Sequence, residues 1–156
     1  MIEIKAPSLI PKNDILKIFL AGSIEMGQAE NWQQKVVERF ASEDVMLLNP
    51  RRIDWDASWE QRKDNPYFRE QVEWELGALE HADHIILYFD PHTESPISLL
   101  EMGLYAESRK LLVVCPQGFW RKGNVDIVCE RYHIPQFDSL DALLGYFLGM
   151  MRKLDS

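Results

Sequence analysis

The stretch that decides the fold is residues 82–108, ADHIILYFDPHTESPISLLEMGLYAES. Its first part, residues 84–89, is a short run of Ile, Leu, Tyr and Phe, which predicts a buried β-strand that ends at Asp90-Pro91. A helix is predicted over residues 97–108, because Ser95 is a favourable N-cap residue and proline suits the first helical position. In an open α/β sheet, ligands bind where the strands end and such helices begin.

Strands alternate with helices along the rest of the chain. Further strands are predicted at residues 17–21, 45–48, 111–115 and 134–137, and helices at 28–40, 64–80, 125–132 and from a cap at Asp138 or Ser139 to Met151. Parallel strands need crossover connections, and the crossover helices must bury their apolar stripes on the sheet. We therefore expect a single α/β domain over residues 1–156, a flavodoxin-like or Rossmann-like three-layer sandwich with a central parallel sheet of about five strands.

The composition bounds the partners and the location. The 156 residues are 46% apolar, which is enough to fill a core. A formal net charge of −8 argues against a general affinity for nucleic-acid polymers or for anionic membranes. The first residues lack the apolar core of a signal peptide, and no run approaches the roughly 18 apolar residues of a membrane span. We expect a cytoplasmic protein.

The sequence contains no motif that indicates a metal site or a redox cofactor. Cys115 and Cys129 are expected to be free thiols, because two cysteines without a secretory signal do not form a disulfide framework. Neither has metal-ligand spacing to another Cys or His, and the four histidines form no zinc motif. A Gly-x-Gly-x-x-Gly fingerprint for NAD is also missing. We therefore expect neither a metal nor a cofactor.

Loops from the first four strands are expected to meet at one edge of the sheet, at residues 22–23, 49–56, 90–98 and 116–124. Arg51 is a candidate for a charge-complementary contact with the substrate. Trp55 offers a ring for stacking on a base or, alternatively, acts as a packing lid. Arg121 and Lys122 suit an anionic substrate or the site of a neighbouring subunit, with solvated surface charge as the alternative.

Glu101 is the candidate nucleophile. It stands among Leu99, Leu100, Met102 and Leu104, so its helix has little polar face for an idle glutamate, although a solvated helical residue is the alternative. The second helical turn favours its ionised form, and an ionised carboxylate can attack an anomeric carbon. A second carboxylate is expected from Glu73 or Glu75 on the preceding helix, and the pattern does not decide between them.

Three segments resemble the nucleoside 2-deoxyribosyltransferase-like family: FLAGSI at 19–24, WEL at 74–76 leading to Ala82-Asp83, and SPISLLEMG at 95–103. The resemblance covers about residues 17–132. It implies that Glu101, followed by Met102-Gly103, attacks C1′ of a deoxyribonucleoside. It also implies that Glu75, eight residues before Asp83, handles the proton of the leaving base, at a position where the family usually has Asp.

The resemblance also bears on the substrate. Family members that act on free nucleosides tend to have Asp six residues before the nucleophile, whereas the related deoxynucleotide N-glycosidases have serine, as here at Ser95. A serine hydroxyl and a helix N-terminus can hold a phosphate, with a simple N-cap as the alternative. Glu25 points the other way, because the glycosidases have a basic residue near that position. Phe19 occupies a position at which tyrosine is common in the family.

Cleavage of an N-glycosidic bond through a glutamyl-deoxyribosyl intermediate is the predicted function, with the sugar passed to another base or to water. The expected partner is a small-molecule nucleoside or nucleotide. The expected substrate contacts are Gly22, Ser23, Asn49, Arg51, Trp55, Ser95, Ser98 and Asn124. The alternatives are an inactive nucleotide-binding or regulatory module and an NAD glycohydrolase-like enzyme.

A homo-oligomer with sites completed across the interface is also expected. The resemblance implies such sites, with Asn124 as the contact from the neighbouring subunit. The apolar residues between 143 and 151 predict more hydrophobic surface on the last helix than one core-facing stripe needs, and hence a dimer contact.

Overall fold

The computed structural model describes residues 1–24 and 29–154, which form six strands and five helices. The elements are, in chain order, β1 (Ile2–Lys5), β2 (Leu16–Gly22), α1 (Trp32–Arg39), β3 (Val45–Asn49), α2 (Pro66–His81), β4 (His84–Tyr88), α3 (Pro96–Tyr105), β5 (Leu111–Val114), α4 (Lys122–Tyr132), β6 (Gln136–Phe137) and α5 (Leu140–Leu154). None of the helices in these ranges has the length and apolar character that crossing a bilayer requires.

The strands form one parallel sheet in the order β1-β3-β2-β4-β5-β6. In its centre, Phe19 of β2 is in register with Leu48 of β3 on one side and Ile85 of β4 on the other. The α/β class and the flavodoxin-like sandwich are confirmed. The sheet has one strand more than predicted, because β1 adds an edge strand. Its sequence alternates isoleucine with charged residues, which is typical of a strand exposed on one face.

Helices cover both faces of the sheet. On one face, a buried cluster joins the strands to Trp74 of α2, Met102 of α3 and Val125 of α4. On the other face, the buried cluster includes Trp32 of α1 and Phe147 of α5. Successive residues of each central strand serve opposite faces, so the strands are apolar throughout. Because α2 and α3 share a face, the two candidate carboxylates belong to the same layer.

The last helix uses its apolar residues in the core. Leu143, Leu144, Phe147 and Leu148 are buried against the sheet, whereas Tyr146 is exposed and contacts Phe137. The prediction that this helix presents surplus apolar surface is therefore wrong for those four residues. The predicted cap is confirmed at its start, where Ala142 N donates to Ser139 Oγ at 3.1 Å.

An exposed apolar stripe is found instead on α3. Ile97, Leu100 and Leu104 are each more than half exposed, and their spacing places them on one side of the helix. Leu100 and Leu104 were expected to surround Glu101 in an apolar setting. The setting of Glu101 comes rather from burial of the opposite side of α3, where Ser98, Glu101 and Met102 are buried.

Candidate active site

Glu75 and Glu101 form a pair of buried carboxylates. Glu101 is 8% exposed, in the second turn of α3, and interacts electrostatically with Glu75 of α2. Glu75 as a whole residue is half-buried, but its carboxyl group is desolvated by burial, whereas Glu73 is exposed and forms an ion pair with Arg69 at 3.4 Å. The structure thus decides the alternative that the sequence left open, because Glu75, and not Glu73, faces Glu101.

Both carboxyl groups hold their protons more strongly than usual. Burial raises the pKa of Glu75 to about 7, against a lowering effect of a hydrogen bond from Gln71. Burial, together with the charge of Glu75, raises the pKa of Glu101 to about 8. The helix N-terminus was predicted to favour the ionised form of Glu101, but burial and the charge of Glu75 shift its pKa in the opposite direction. Near neutral pH the pair therefore keeps at least one proton.

Gln71, one helical turn before Glu75, was missed by the sequence analysis. Its Nε2 donates to Glu75 Oε1 and to the Pro50 carbonyl oxygen, both at 2.9 Å. The i, i+4 spacing was the available signal. It was not decisive, because only the folded chain brings the end of β3 to this side chain.

A cluster of buried hydroxyl groups joins the ends of β2 and β4 to the start of α3. Ser23 Oγ and Ser95 Oγ are in hydrogen-bond contact, and Thr93 Oγ1 lies 3.1 Å from the first and 2.8 Å from the second. Asp90 N donates to Ser23 Oγ at 2.9 Å. Asp90 and Thr93 were not predicted as site residues. The cluster fixes the loop between β4 and the helix that carries Glu101.

Ser95 occupies the predicted N-cap position but does not cap the helix with its side chain. Its backbone is left-handed, with φ of 50°, and its hydroxyl makes no capping hydrogen bond. That hydroxyl belongs to the cluster with Ser23 and Thr93 instead. Pro96 at the first helical position is confirmed. Tertiary contacts have therefore overridden the local capping preference of serine.

Gly22 lets the ends of β2 and β4 approach closely. Its φ is +134°, and a Cβ atom there would lie 2.7 Å from Tyr88 N and closer still to Tyr88 O. A side chain is excluded at this position. The approach allows Ser23 N to donate to Tyr88 O at 2.9 Å, which places the Ser23 hydroxyl in the cluster.

The family model described as nucleoside 2-deoxyribosyltransferase like matches residues 15–119. The match covers more than half of the chain and contains both carboxylates and the hydroxyl cluster. The chain belongs to the nucleoside 2-deoxyribosyltransferase-like family. No curated protein matches it significantly. The matched region ends at Phe119, so Asn124 lies outside the part of the chain that matches the nucleoside 2-deoxyribosyltransferase-like family model.

Two further predicted contacts, Ser98 and Asn124, lie in α3 and α4. Ser98 is buried on the same side of α3 as Glu101, three residues before it. Asn124 is exposed in the first turn of α4. Glu25 lies outside the described residues, as does Gln28, where the first helix was predicted to begin. The described part of that helix starts at Trp32, capped by Asn31.

Asn49 and Arg51 are engaged in holding loops together. Asn49 Nδ2 donates to Glu3 of β1 at 2.9 Å, and Asn49 Oδ1 accepts from Arg51 N at 3.0 Å. The Arg51 guanidinium donates to Gln33 Oε1 at 2.8 Å and to Glu30 O at 3.1 Å. Burial lowers the pKa of Arg51. In this family member, both side chains hold the end of β3 and the following loop against β1 and against the segment that contains Glu30 and Gln33.

Trp55 belongs to an aromatic cluster in the loop after β3. Its ring meets Trp59 edge-on at 5.0 Å, and Trp59 stacks on Tyr67 of α2 at 5.0 Å. The Arg52 guanidinium lies over Trp59 at 5.1 Å. These contacts favour the packing-lid alternative for Trp55, because the ring is half-buried within the loop itself.

The cations after β5 have partners in the structure. Lys122 Nζ forms an ion pair with Asp126 and donates to Cys115 O, each at 3.0 Å. Arg121 lies over the Trp120 ring at 4.2 Å, and Trp120 Nε1 donates to Glu94 O at 2.9 Å. The charge of Lys122 is thus already compensated before any anion binds.

Two clefts lie away from the carboxylate pair. One, of about 650 Å³, is at the amino-terminal edge of the sheet and is lined by Lys17, His81 and Asp83 among others. The other, of about 400 Å³, lies between the starts of α1 and α5. Neither is lined by Glu75 or Glu101. Across residues 1–24 and 29–154, no three His, Cys, Asp or Glu side chains come together as metal ligands would.

Proposed function

We propose that this protein cleaves the N-glycosidic bond of a 2′-deoxynucleoside or of its 5′-monophosphate, with Glu101 as the nucleophile and Glu75 as the proton donor. The buried Glu75–Glu101 pair carries the proposal, because glycosidic chemistry uses two carboxyl groups of different protonation at one site. Family membership supports the same substrate class.

The proposed reaction has two steps. The Glu101 carboxylate attacks C1′, the bond between C1′ and the base nitrogen breaks, and its electron pair leaves with the base. Glu75 gives its proton to that base. Another base or a water molecule then attacks C1′ and frees Glu101, and its proton returns to Glu75. A deoxyribosyl group suits this route because it has no 2′-hydroxyl to withdraw electron density from the positively charged, oxocarbenium-like transition state.

Protonation of the pair sets a condition on this reaction. Glu101 has the higher pKa, about 8, so in the free protein it keeps a proton longer than Glu75, with a pKa of about 7. The productive state has Glu101 ionised and Glu75 protonated. That state is one of the two arrangements of a singly protonated pair, and it is populated in the pH range where the pair holds one proton.

The hydroxyl cluster bears on the choice between nucleoside and nucleotide. The Ser95 hydroxyl is buried and engaged with Ser23 and Thr93, which weakens the case for that hydroxyl as a phosphate ligand. A 5′-phosphate would instead meet the backbone N–H groups of Ile97 and Ser98, because Pro96 has none. We therefore keep both substrates in the proposal.

Product analysis tests the proposed reaction. The protein is incubated with each common deoxynucleoside and each 5′-monophosphate, with and without a free acceptor base, and released base and exchanged nucleoside are measured by liquid chromatography. We expect Glu101→Gln to lose activity at least about 1000-fold and Glu75→Gln roughly 100-fold. Glu73→Gln is the matched control on α2 and should keep wild-type activity. Absence of cleavage by the wild type, or full activity of Glu101→Gln, would refute the proposal.

A nucleotide-binding module without turnover is the second candidate. Phe19 favours it, because its ring is buried edge-on against Trp74 at 6.3 Å and brings no hydroxyl to the carboxylate pair. The incubation above separates the two candidates when it is paired with calorimetry. Tight binding of a nucleotide that stays intact would select the binding module.

Self-association is part of the proposal. The exposed stripe of Ile97, Leu100 and Leu104 supports a contact between two copies through α3, the helix that carries Glu101. Sedimentation of the wild type is expected to show an oligomer that Leu100→Glu with Leu104→Glu dissociates. A strictly monomeric wild type would rule it out.

A further inference from the structure

Gln71 is a buried polar residue whose side-chain nitrogen has hydrogen-bond partners, whereas its side-chain oxygen has none in the described part of the chain. Its side chain is 6% exposed, on the face of α2 that carries Glu75. Nε2 donates to Pro50 O and to Glu75 Oε1, both at 2.9 Å. Its Oε1 is buried and has no hydrogen-bond partner within the described ranges. An unpaired buried acceptor costs stability, so packing alone would favour an apolar residue here.

The orientation of this amide follows from its partners. Pro50 O is a carbonyl oxygen and can only accept a hydrogen bond, so it requires the N–H side of the amide. A flipped amide would turn Oε1 against that carbonyl and leave Nε2 buried without an acceptor. Glu75 Oε1 is therefore held by an N–H donor, which favours a proton of Glu75 on the other oxygen, Oε2, because a carbonyl oxygen accepts a hydrogen bond better than a hydroxyl oxygen does.

We propose that Gln71 is a positioning residue of the glycosidic reaction: its amide holds Glu75 Oε1, confines the transferable proton to Oε2 and ties this carboxyl group to Pro50 at the end of β3. The role rests on the proposed function, since it acts through Glu75. It also distinguishes the two carboxyl groups, because this amide donates to Glu75.

Replacement by methionine is the variant of choice. Gln71→Met keeps the approximate length and volume of the side chain and adds no polar atom of its own, while Pro50 O and Glu75 Oε1 both lose the Gln71 donor. Without the donor, the ionised form of Glu75 loses support. We expect the titration midpoint of Glu75 to rise by about half a pH unit or more, measured by NMR of the side-chain carboxyl carbons of ¹³C-labelled glutamate.

Turnover provides the second readout. We expect kcat of Gln71→Met to fall roughly 10-fold to 100-fold at pH 7 with little change in KM, and its pH profile to shift with the Glu75 midpoint. Glu73→Gln, the matched control, should leave kcat, KM and the pH profile of turnover unchanged. A variant with an unmoved Glu75 midpoint, or with an equal loss at every pH, would overturn the positioning role.

The wild-type protein supplies a test that does not depend on any variant. The Gln71 side-chain NH₂ resonances should shift as Glu75 titrates, because one of these protons lies in the hydrogen bond. If the Gln71 NH₂ resonances do not shift as Glu75 titrates, the proposal is contradicted even if Gln71→Met does not fold. If the wild type cleaves no nucleoside or nucleotide, the proposed function fails, while the two NMR titrations still decide whether Gln71 controls the Glu75 proton.

Discussion

Burial raises the pKa of Glu101, and the charge of Glu75, which lies on a different helix, raises it further. Folding brings these two acidic groups together in a desolvated setting, although each would be better solvated on the surface. Ionisable groups whose pKa is perturbed by burial and by a like charge are typical of functional sites. The pair also has a measurable consequence for stability.

Stability should fall as pH rises. A carboxyl group whose pKa is raised in the folded protein keeps its proton longer there than in the unfolded chain, so the loss begins above the ordinary value of 4.5 and is complete above about pH 8. For Glu101 alone we expect a decrease of on the order of 3 to 5 kcal/mol in the free energy of unfolding. Urea denaturation at pH 5 and at pH 9 measures it.

Two variants identify the group responsible for that loss. Glu101→Gln cannot ionise, so the part of the decrease between pH 5 and pH 9 that Glu101 contributes should disappear, while the part that Glu75 contributes remains. Glu73→Gln, which changes an exposed carboxylate on the neighbouring helix, should keep the wild-type slope. A Glu101→Gln protein that loses as much stability as the wild type would show that Glu101 is ionised throughout.

The limits of sequence reasoning are clear from particular residues. The order of strands and helices was predictable because it depends on local periodicity, and only β1 was overlooked. The pairing of Glu101 with a glutamate on the preceding helix was also predictable. The direction of its pKa was not, because burial is a property of the packed chain. Ser95 failed as a side-chain cap for the same reason, since its hydroxyl contacts Ser23, which only folding brings to it from the end of β2.

Turnover should have a bell-shaped pH dependence. Activity requires one carboxyl proton and one carboxylate, so kcat/KM should rise as the first proton leaves the pair and fall as the second leaves. The limbs are expected near pH 7 and near pH 8, from the pKa values of Glu75 and Glu101. Initial rates of base release between pH 5 and pH 10 measure the profile. A flat profile across this range would exclude the pair as the acid and the nucleophile.

Gly22→Ala should be far more harmful than an ordinary glycine substitution. The new Cβ would overlap the backbone of Tyr88, and φ of +134° is strained for alanine. We expect a loss of at least about 3 kcal/mol in the free energy of unfolding. Gly145→Ala, on α5 with open space around it, should instead stabilise the protein by about 0.5 to 1 kcal/mol. Thermal unfolding of both variants is the measurement, and equal effects would contradict the close approach of β2 and β4.

Ser95→Ala separates a structural hydroxyl from a phosphate ligand. As a member of the buried cluster, Ser95 should contribute about 1 to 2 kcal/mol to the free energy of unfolding, and its loss should raise KM equally for a deoxynucleoside and for its 5′-monophosphate. Thr93→Val removes another hydroxyl of the same cluster and should behave alike. A rise in KM of tenfold or more for the monophosphate alone, seen with Ser95→Ala and not with Thr93→Val, would instead assign the Ser95 hydroxyl to the phosphate. The same comparison would then identify the nucleotide as the substrate for which this site is built.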